Sequence, residues 1–127
     1  MTTRQSTPLV LLAHGSKYEQ WRAPFEQLAN DLRKDVGQDN VLLCYMESAS
    51  PTLMDIARQL AAVGATRCRI LPLFMAEGAH FSMDIPGQLE EITAQFPALE
   101  IELLPPIGQH PLFLNLMRQI AKESVSA

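Results

Sequence analysis

Three side chains able to bind a metal or move a proton stand where apolar runs of this sequence break off. His14 follows Leu9-Val10-Leu11-Leu12-Ala13, Glu47 follows Tyr45-Met46, and His80 follows Leu73-Phe74-Met75 after the short Ala76-Glu77-Gly78-Ala79. Glu47 comes 33 residues after His14, and His80 another 33 after Glu47. If each interval is one strand-plus-helix unit of a parallel sheet, all three emerge at the carboxyl edge, where such sheets bind ligands. Two imidazoles and a carboxylate suit a divalent first-row ion such as cobalt, iron, nickel or zinc, whereas an all-oxygen set would suit magnesium. Three protein ligands leave coordination positions open, as in a catalytic or transfer site. A single histidine after a strand is as often a loop residue bonded to backbone. His14 is set apart by the company of Glu47 and His80.

The remaining chain must supply the elements that hold these residues. With 127 residues, 47% hydrophobic and 19% charged, it has the length of one domain and enough apolar content for a core, so residues 1–127 are expected to form a single domain. Leu9–Ala13, bounded by Pro8 and Gly15, reads as a central strand buried on both faces. Trp21, Phe25, Leu28, Ala29, Leu32 and Val36 recur at helical spacing, which predicts an amphipathic first helix. Pro24 is tolerated in a first turn, so that helix is expected to start late. Residues 41–46 give a second strand. Ser50-Pro51 reads as the cap and first residue of a helix with the stripe Leu53, Ile56, Ala57 and Leu60, closed by Gly64. Residues 67–75 form a third strand, and residues 77–86 a polar loop carrying His80. Ile85, Leu89, Ile92 and Phe96 mark a third helix, capped by Asp84 or Ser82. Leu99, Ile101 and Leu103 alternate with Glu100 and Glu102, the pattern of an edge strand, and Phe113, Leu116, Met117, Ile120 and Ala121 stripe a last helix. Four βα units predict an α/β fold: a doubly wound, mainly parallel four-stranded sheet with helices on both faces, flavodoxin-like in topology, with right-handed crossovers.

A net charge of −4 without a Lys/Arg cluster argues against nucleic acid as partner. Cys44 and Cys68 sit in apolar runs without CxxC spacing, so they read as buried inert thiols and not as a disulfide or zinc site. The first apolar run is too short for a membrane span and lacks a cleavage pattern, so no membrane association and a cytoplasmic location are expected.

The combination Leu12-Ala13-His14-Gly15-Ser16, Glu47-Ser48-Ala49-Ser50-Pro51-Thr52-Leu53 and Pro72-Leu73-Phe74-Met75-Ala76-Glu77-Gly78-Ala79-His80 with Asp84-Ile85-Pro86 resembles the motifs of the sirohydrochlorin cobaltochelatase family, in its small single-domain form. The resemblance runs over nearly the whole chain and implies a class II chelatase. Such an enzyme inserts a divalent metal into a tetrapyrrole without ATP or another nucleotide, working here as a homodimer with the ring in a cleft at the carboxyl edge. Cobalt is favoured by the resemblance, with iron and nickel open. It also implies that His14 and His80 bind the incoming metal while Glu47 assists. Insertion must remove two pyrrole protons and strip water from the ion, which calls for loosely holding imidazoles and a nearby base. Sirohydrochlorin is rich in carboxylates, and Gly15, Ser16, Ser50 and Ser82, near helix N-termini, are candidate contacts for them, with Lys17 or Arg22 adding charge. The plainer role for the serines is capping and for the cations a solvated face. His110, before Pro111, is expected to start a helix, although it stands on the same edge. Met75, Phe81 and Met83 either pack on the flat macrocycle or line their loop.

Three competing readings use the same residues. A strand-end histidine serves as the phosphorylated nucleophile in histidine acid phosphatases, but those carry arginine directly before His-Gly, where Ala13 stands here. A metal carrier would use the same three ligands without acting on a tetrapyrrole. A flavodoxin-like regulatory module would bind no metal at all.

Overall fold

Five consecutive apolar residues, Leu9–Ala13, form strand β1, and Val10 to Ala13 are each at most 1% exposed, as a strand covered on both faces requires. The computed structural model describes residues 7–76 and 84–125 in full and the backbone of residues 79–83. β1 lies between β2 (Val41–Tyr45) and β3 (Arg67–Pro72), and β4 (Glu100–Leu103) pairs with the outer side of β3. Every pairing is parallel, in the order β2-β1-β3-β4. The central β1 and the edge position of β4 are as the sequence predicts.

The four helices are α1 (Glu19–Val36), α2 (Leu53–Ala62), α3 (Ala79–Gln95) and α4 (Pro111–Val125). The step from β1 to β2 runs one way across the sheet and the steps onward to β3 and β4 run the other way. Right-handed crossovers then put α1 on one face and α2 with α3 on the other. The core divides accordingly. Phe25, Ala29 and Leu32 of α1 pack on Leu11, Ala13, Val41, Leu43 and Tyr45. Leu53, Ile56, Ala57 and Leu60 of α2, with Ile85 and Ile92 of α3, pack on Val10, Leu12, Cys44, Cys68 and Ile70. Beyond α1 the sheet face is polar: Arg67 pairs with Glu100 at 3.5 Å and Arg69 with Glu102 at 3.1 Å, which accounts for the alternation along β4.

Prolines and caps depart from the sequence expectation. Helix α1 does not start late; Pro24 lies inside it, in the second turn. The missing N–H costs one backbone bond on an exposed stretch, and packing through Phe25, Ala29 and Leu32 outweighs it. Likewise α3 begins at Ala79, so residues 79–86 are helical rather than loop, Pro86 is internal, and neither Ser82 nor Asp84 precedes the helix. Fully buried Ile85 and Ile92 anchor it on both sides of the proline. Helix α2 is capped by Thr52, not Ser50: Thr52 Oγ1 accepts from Asp55 N at 3.1 Å, and the Asp55 carboxylate accepts from Thr52 N at 2.9 Å. This reciprocal pair satisfies two N-terminal amides where a serine two residues earlier cannot reach them. It also holds the Asp55 carboxyl below its ordinary range. Strands β2 and β3 end one and three residues earlier than the apolar runs suggest, at Tyr45 and Pro72.

Cys44 and Cys68 are free and buried. Burial pushes the Cys44 thiol up to about 12, with Cys68 nearby adding to the effect, and the Cys68 thiol up to about 11. At about pH 8 almost no thiolate forms at either position, and the thiolate is the reactive species. Native protein treated with iodoacetamide at that pH is expected to stay unlabelled, whereas urea-unfolded protein takes up label on both cysteines; mass spectrometry reads the difference. Among the described residues, no helix is long and apolar enough to cross a membrane.

Candidate functional site

The β1–β2 ladder continues past the strand ends and brings the first two chemical residues together. Ala13 is in register with Tyr45. Met46 N then donates to Ala13 O at 2.9 Å and Glu47 N to His14 O at 3.2 Å. Gly15 turns the chain away at φ 102°, a left-handed conformation that favours glycine. The result sets His14 Nε2 3.4 Å from Glu47 Oε1. Both side chains are more than half exposed, at 59% and 51%. That separation exceeds a charge-assisted hydrogen bond of about 2.7–2.9 Å. It suits two neighbouring ligands of one ion, because metal–ligand bonds of about 2.0–2.2 Å at a tetrahedral angle span roughly 3.4 Å.

On the other side of β1, Leu12 pairs with Pro72 and Leu73 N donates to Leu12 O at 2.8 Å. The residue level with His14 is therefore Phe74, whose ring meets the imidazole edge-to-face at 6.3 Å and 77°. An aromatic wall fixes the ring plane on one side and leaves Nε2 turned to Glu47. The third member of the 33-residue series is placed differently. β3 ends at Pro72, and His80 is the second residue of α3, not a strand-end residue. It still follows the carboxyl end of β3, but its side chain and that of Ser82 lie outside the described residues. Among the described residues no group of three His, Cys, Asp or Glu side chains is gathered for a metal; the described part of the site is the pair His14 and Glu47.

A family model described as CbiX matches residues 8–124. The chain belongs to the CbiX family. It is similar to the sirohydrochlorin cobaltochelatase of Sulfurisphaera tokodaii, with 34% identity over 115 residues that cover 91% of each chain. Among solved structures it is similar to a cobalamin (vitamin B12) biosynthesis CbiX protein from Marinobacter aquaeolei VT8, at TM-score 0.82 and 32% identity, covering 96% of this chain and 97% of that one. The sirohydrochlorin chelatase SirB from Bacillus subtilis subspecies spizizenii, solved with cobalt, shares the fold at TM-score 0.79 and 19% identity, and there the match covers 94% of this chain but 51% of the other.

The serines and glycine expected near the substrate of this CbiX-family chain have other engagements. A Cβ on Gly15 would overlap Glu47 O, so the glycine admits the β2 backbone rather than a ring or an ion. Ser16 does not cap α1: Tyr18 holds the N-cap position, and Ser16 Oγ accepts from Tyr18 N at 3.1 Å. Ser50 lines a cavity of about 300 Å³ with Glu26, Asn30 and Arg33, whose walls include neither His14 nor Glu47. Lys17 Nζ lies 5.4 Å from the Tyr18 ring centroid. His110 starts α4 as expected, its Nδ1 accepting from Leu112 N at 3.1 Å. Met75 is 58% exposed, while the Phe81 and Met83 side chains are outside the described residues.

Two aromatic residues near His14 were not legible as site residues. Trp21 fits the apolar stripe of α1 yet is 67% exposed, and it borders a cavity of about 190 Å³ with His14, Gly15, Ser16, Arg22, Phe25 and Tyr45. Tyr45 reads as a strand residue, and it is one; its hydroxyl, in a residue only 3% exposed, has no hydrogen-bond partner among the described residues. Burial pushes this phenol above its ordinary value, Glu26 adds to that, and Arg22 opposes it.

Proposed function

We propose that this chain, as one chelatase domain over residues 1–127, inserts a divalent metal, cobalt first among iron and nickel, into sirohydrochlorin without ATP. The observation that carries the reading is the His14–Glu47 pair, set at ligand spacing on the open carboxyl edge. His14 and His80 hold the incoming ion, which is a substrate and not a resident cofactor. Glu47 takes up pyrrole protons. For each ion inserted, two protons leave the macrocycle, pass through the carboxylate one at a time and escape to solvent, while the ion exchanges water for four ring nitrogens. Imidazole suits the task because it binds these ions without the grip of a thiolate. The 34% identity to a protein named sirohydrochlorin cobaltochelatase supports the substrate and the preference for cobalt.

The working form is a homodimer with the ring between two carboxyl edges. Two observations support it. This chain matches 51% of the length of SirB, so two copies equal one such chain. Helix α4 has no buried residue, and Leu112, Leu116 and Ile120, spaced at i, i+4 and i+8, are 72%, 54% and 54% exposed, a stripe that a second copy would cover. The acidic charge and the lack of a membrane-length apolar helix among the described residues are consistent with cytoplasmic work.

A carrier built on the same ligands is separated by one experiment. Purified protein is mixed anaerobically with sirohydrochlorin and Co²⁺, Fe²⁺ or Ni²⁺ in turn, and absorbance is followed. A chelatase accelerates the shift from the free-base to the metallated spectrum over the protein-free rate, fastest with Co²⁺. Metal binding with no acceleration for any of the three ions would identify a carrier.

A further inference from the structure

Strand β3 ends at Pro72, yet the two residues beyond it are gripped from both sides. Leu73 N donates to Leu12 O at 2.8 Å on the β1 side, and on the other side Phe74 O accepts from Gly108 N at 2.9 Å. The bonds from Glu100 N to Thr66 O, Leu104 N to Ile70 O and Gly108 N to Phe74 O all span the same interval in sequence, so the connection after β4 keeps the strand register past Pro105 and Pro106. Gly108 is buried in the short turn Ile107–Gln109. Its φ lies outside the left-handed region, so conformation does not call for glycine there. Contact does: a Cβ would overlap Met75 O, C and Cα, backbone atoms that no rotamer change can move.

We propose that Gly108 is a positioning residue for the metal site, acting through Phe74 on His14; the inference rests on His14 being a metal ligand. Phe74 is level with His14 and meets the imidazole edge-to-face at 6.3 Å and 77°. At 59% exposure the imidazole is not held by enclosure, and the Phe74 ring is a wall that limits its rotation. Such a wall works only if it is itself fixed. Gly108 fixes it by letting the chain after β4 close on the Met75 backbone. An alanine there must push Met75 outward, and Phe74, one residue earlier, moves with it. The imidazole then samples orientations in which Nε2 no longer faces Glu47, and part of the binding free energy goes to turning it back. A buried glycine outside the His14–Glu47 pair thereby sets how firmly the ion is presented. Outer groups that orient a metal ligand are typically worth about 10–100-fold in metal affinity or activity.

The test reads metal alone, at fixed pH. Co²⁺ titration followed by visible absorbance gives a Kd for wild type, Phe74→Leu, Gly108→Ala and the double variant, each also combined with His14→Ala. Phe74→Leu and Gly108→Ala are each expected to weaken binding about 10-fold, and the double variant no more than the weaker-binding of the two, since both act through one contact. With His14→Ala, neither substitution is expected to change the residual affinity, which a merely structural defect would lower. A second measurement needs no variant at Gly108. By linkage, metal bound at His14 tightens the brace in return, so exchange of the Gly108 amide, followed by NMR, is expected to slow with saturating Zn²⁺ in wild type and not in Phe74→Leu. Unchanged Co²⁺ affinity in either single variant, additive losses in the double variant, a further loss in the His14→Ala background, or a Gly108 amide that Zn²⁺ leaves unchanged in wild type or slows equally in Phe74→Leu would overturn the relay while His14 stays a ligand. Co²⁺ affinity that His14→Ala leaves at the wild-type value would overturn both.

Discussion

His14→Ala is expected to keep the fold and lose metal insertion, with kcat/KM reduced more than about 100-fold. The lower bound comes from metal sites in which loss of an outer-shell partner alone costs about 10–100-fold, and a direct ligand should cost more. The fold should survive because the side chain is 59% exposed, beside the Glu47 carboxylate and the Phe74 ring. Surface truncations of that kind change stability by about 0.5 kcal/mol or less. His80→Ala should share the phenotype. Glu47→Gln preserves size and an oxygen donor while removing the base, so it should lower kcat more than it weakens metal binding. Insertion kinetics, metal titration and urea denaturation on the same preparations check all three parts. A variant that inserts metal at near wild-type rate removes its residue from the site.

Gly15→Ala should damage stability and activity together. The alanine must adopt φ 102°, which costs about 1–3 kcal/mol for a residue with a Cβ, and its methyl overlaps Glu47 O, a backbone atom with no rotamer to escape into. Overpacking of a tight contact adds about 1–3 kcal/mol. Relief can come only by moving the β2 end away from β1, which breaks the bond from Glu47 N to His14 O and carries the carboxylate away from the imidazole. Urea denaturation should therefore show a loss of roughly 3 kcal/mol, with insertion reduced in the protein that remains folded. Gly64→Ala is the matched control: φ there is 76° but nothing lies within 4 Å of the added Cβ, so the strain appears without the displacement of Glu47. Equal effects on insertion from the two substitutions would contradict the role given to Gly15.

The sheet was legible because its signals are unopposed. β1 coincides with the apolar run between Pro8 and Gly15, the α2 stripe is buried at every expected position, and the Leu/Glu alternation marks β4 as an edge. The helix starts were not, because the cost of a proline is local and packing is shared along the helix. Pro24 is carried inside a helix held to the sheet by Phe25, Ala29 and Leu32, and Pro86 inside one anchored by Ile85 and Ile92. Ser50-Pro51 is a fair capping signal, yet Thr52 has Asp55 three residues on and completes a reciprocal pair that Ser50 lacks. The equal 33-residue spacing was a sound guide to His14 and Glu47, which the β1–β2 register joins. It was a weaker guide to His80, since β3 leaves the sheet at Pro72 and Phe74 takes the level beside His14. Trp21 shows the limit of periodicity: the same spacing that buries Ala29 leaves an indole at the cavity mouth.

The proposed role of the His14–Glu47 edge is turnover of a tetrapyrrole. It is tested most directly by an anaerobic single-batch reaction with sirohydrochlorin and Co²⁺ in large excess over protein, product being counted per chain from its absorbance. Many equivalents of cobalt-sirohydrochlorin are expected per wild-type chain, and only the protein-free background with His14→Ala. A wild-type yield that stops at or below one equivalent per chain, or that His14→Ala reproduces, would contradict it.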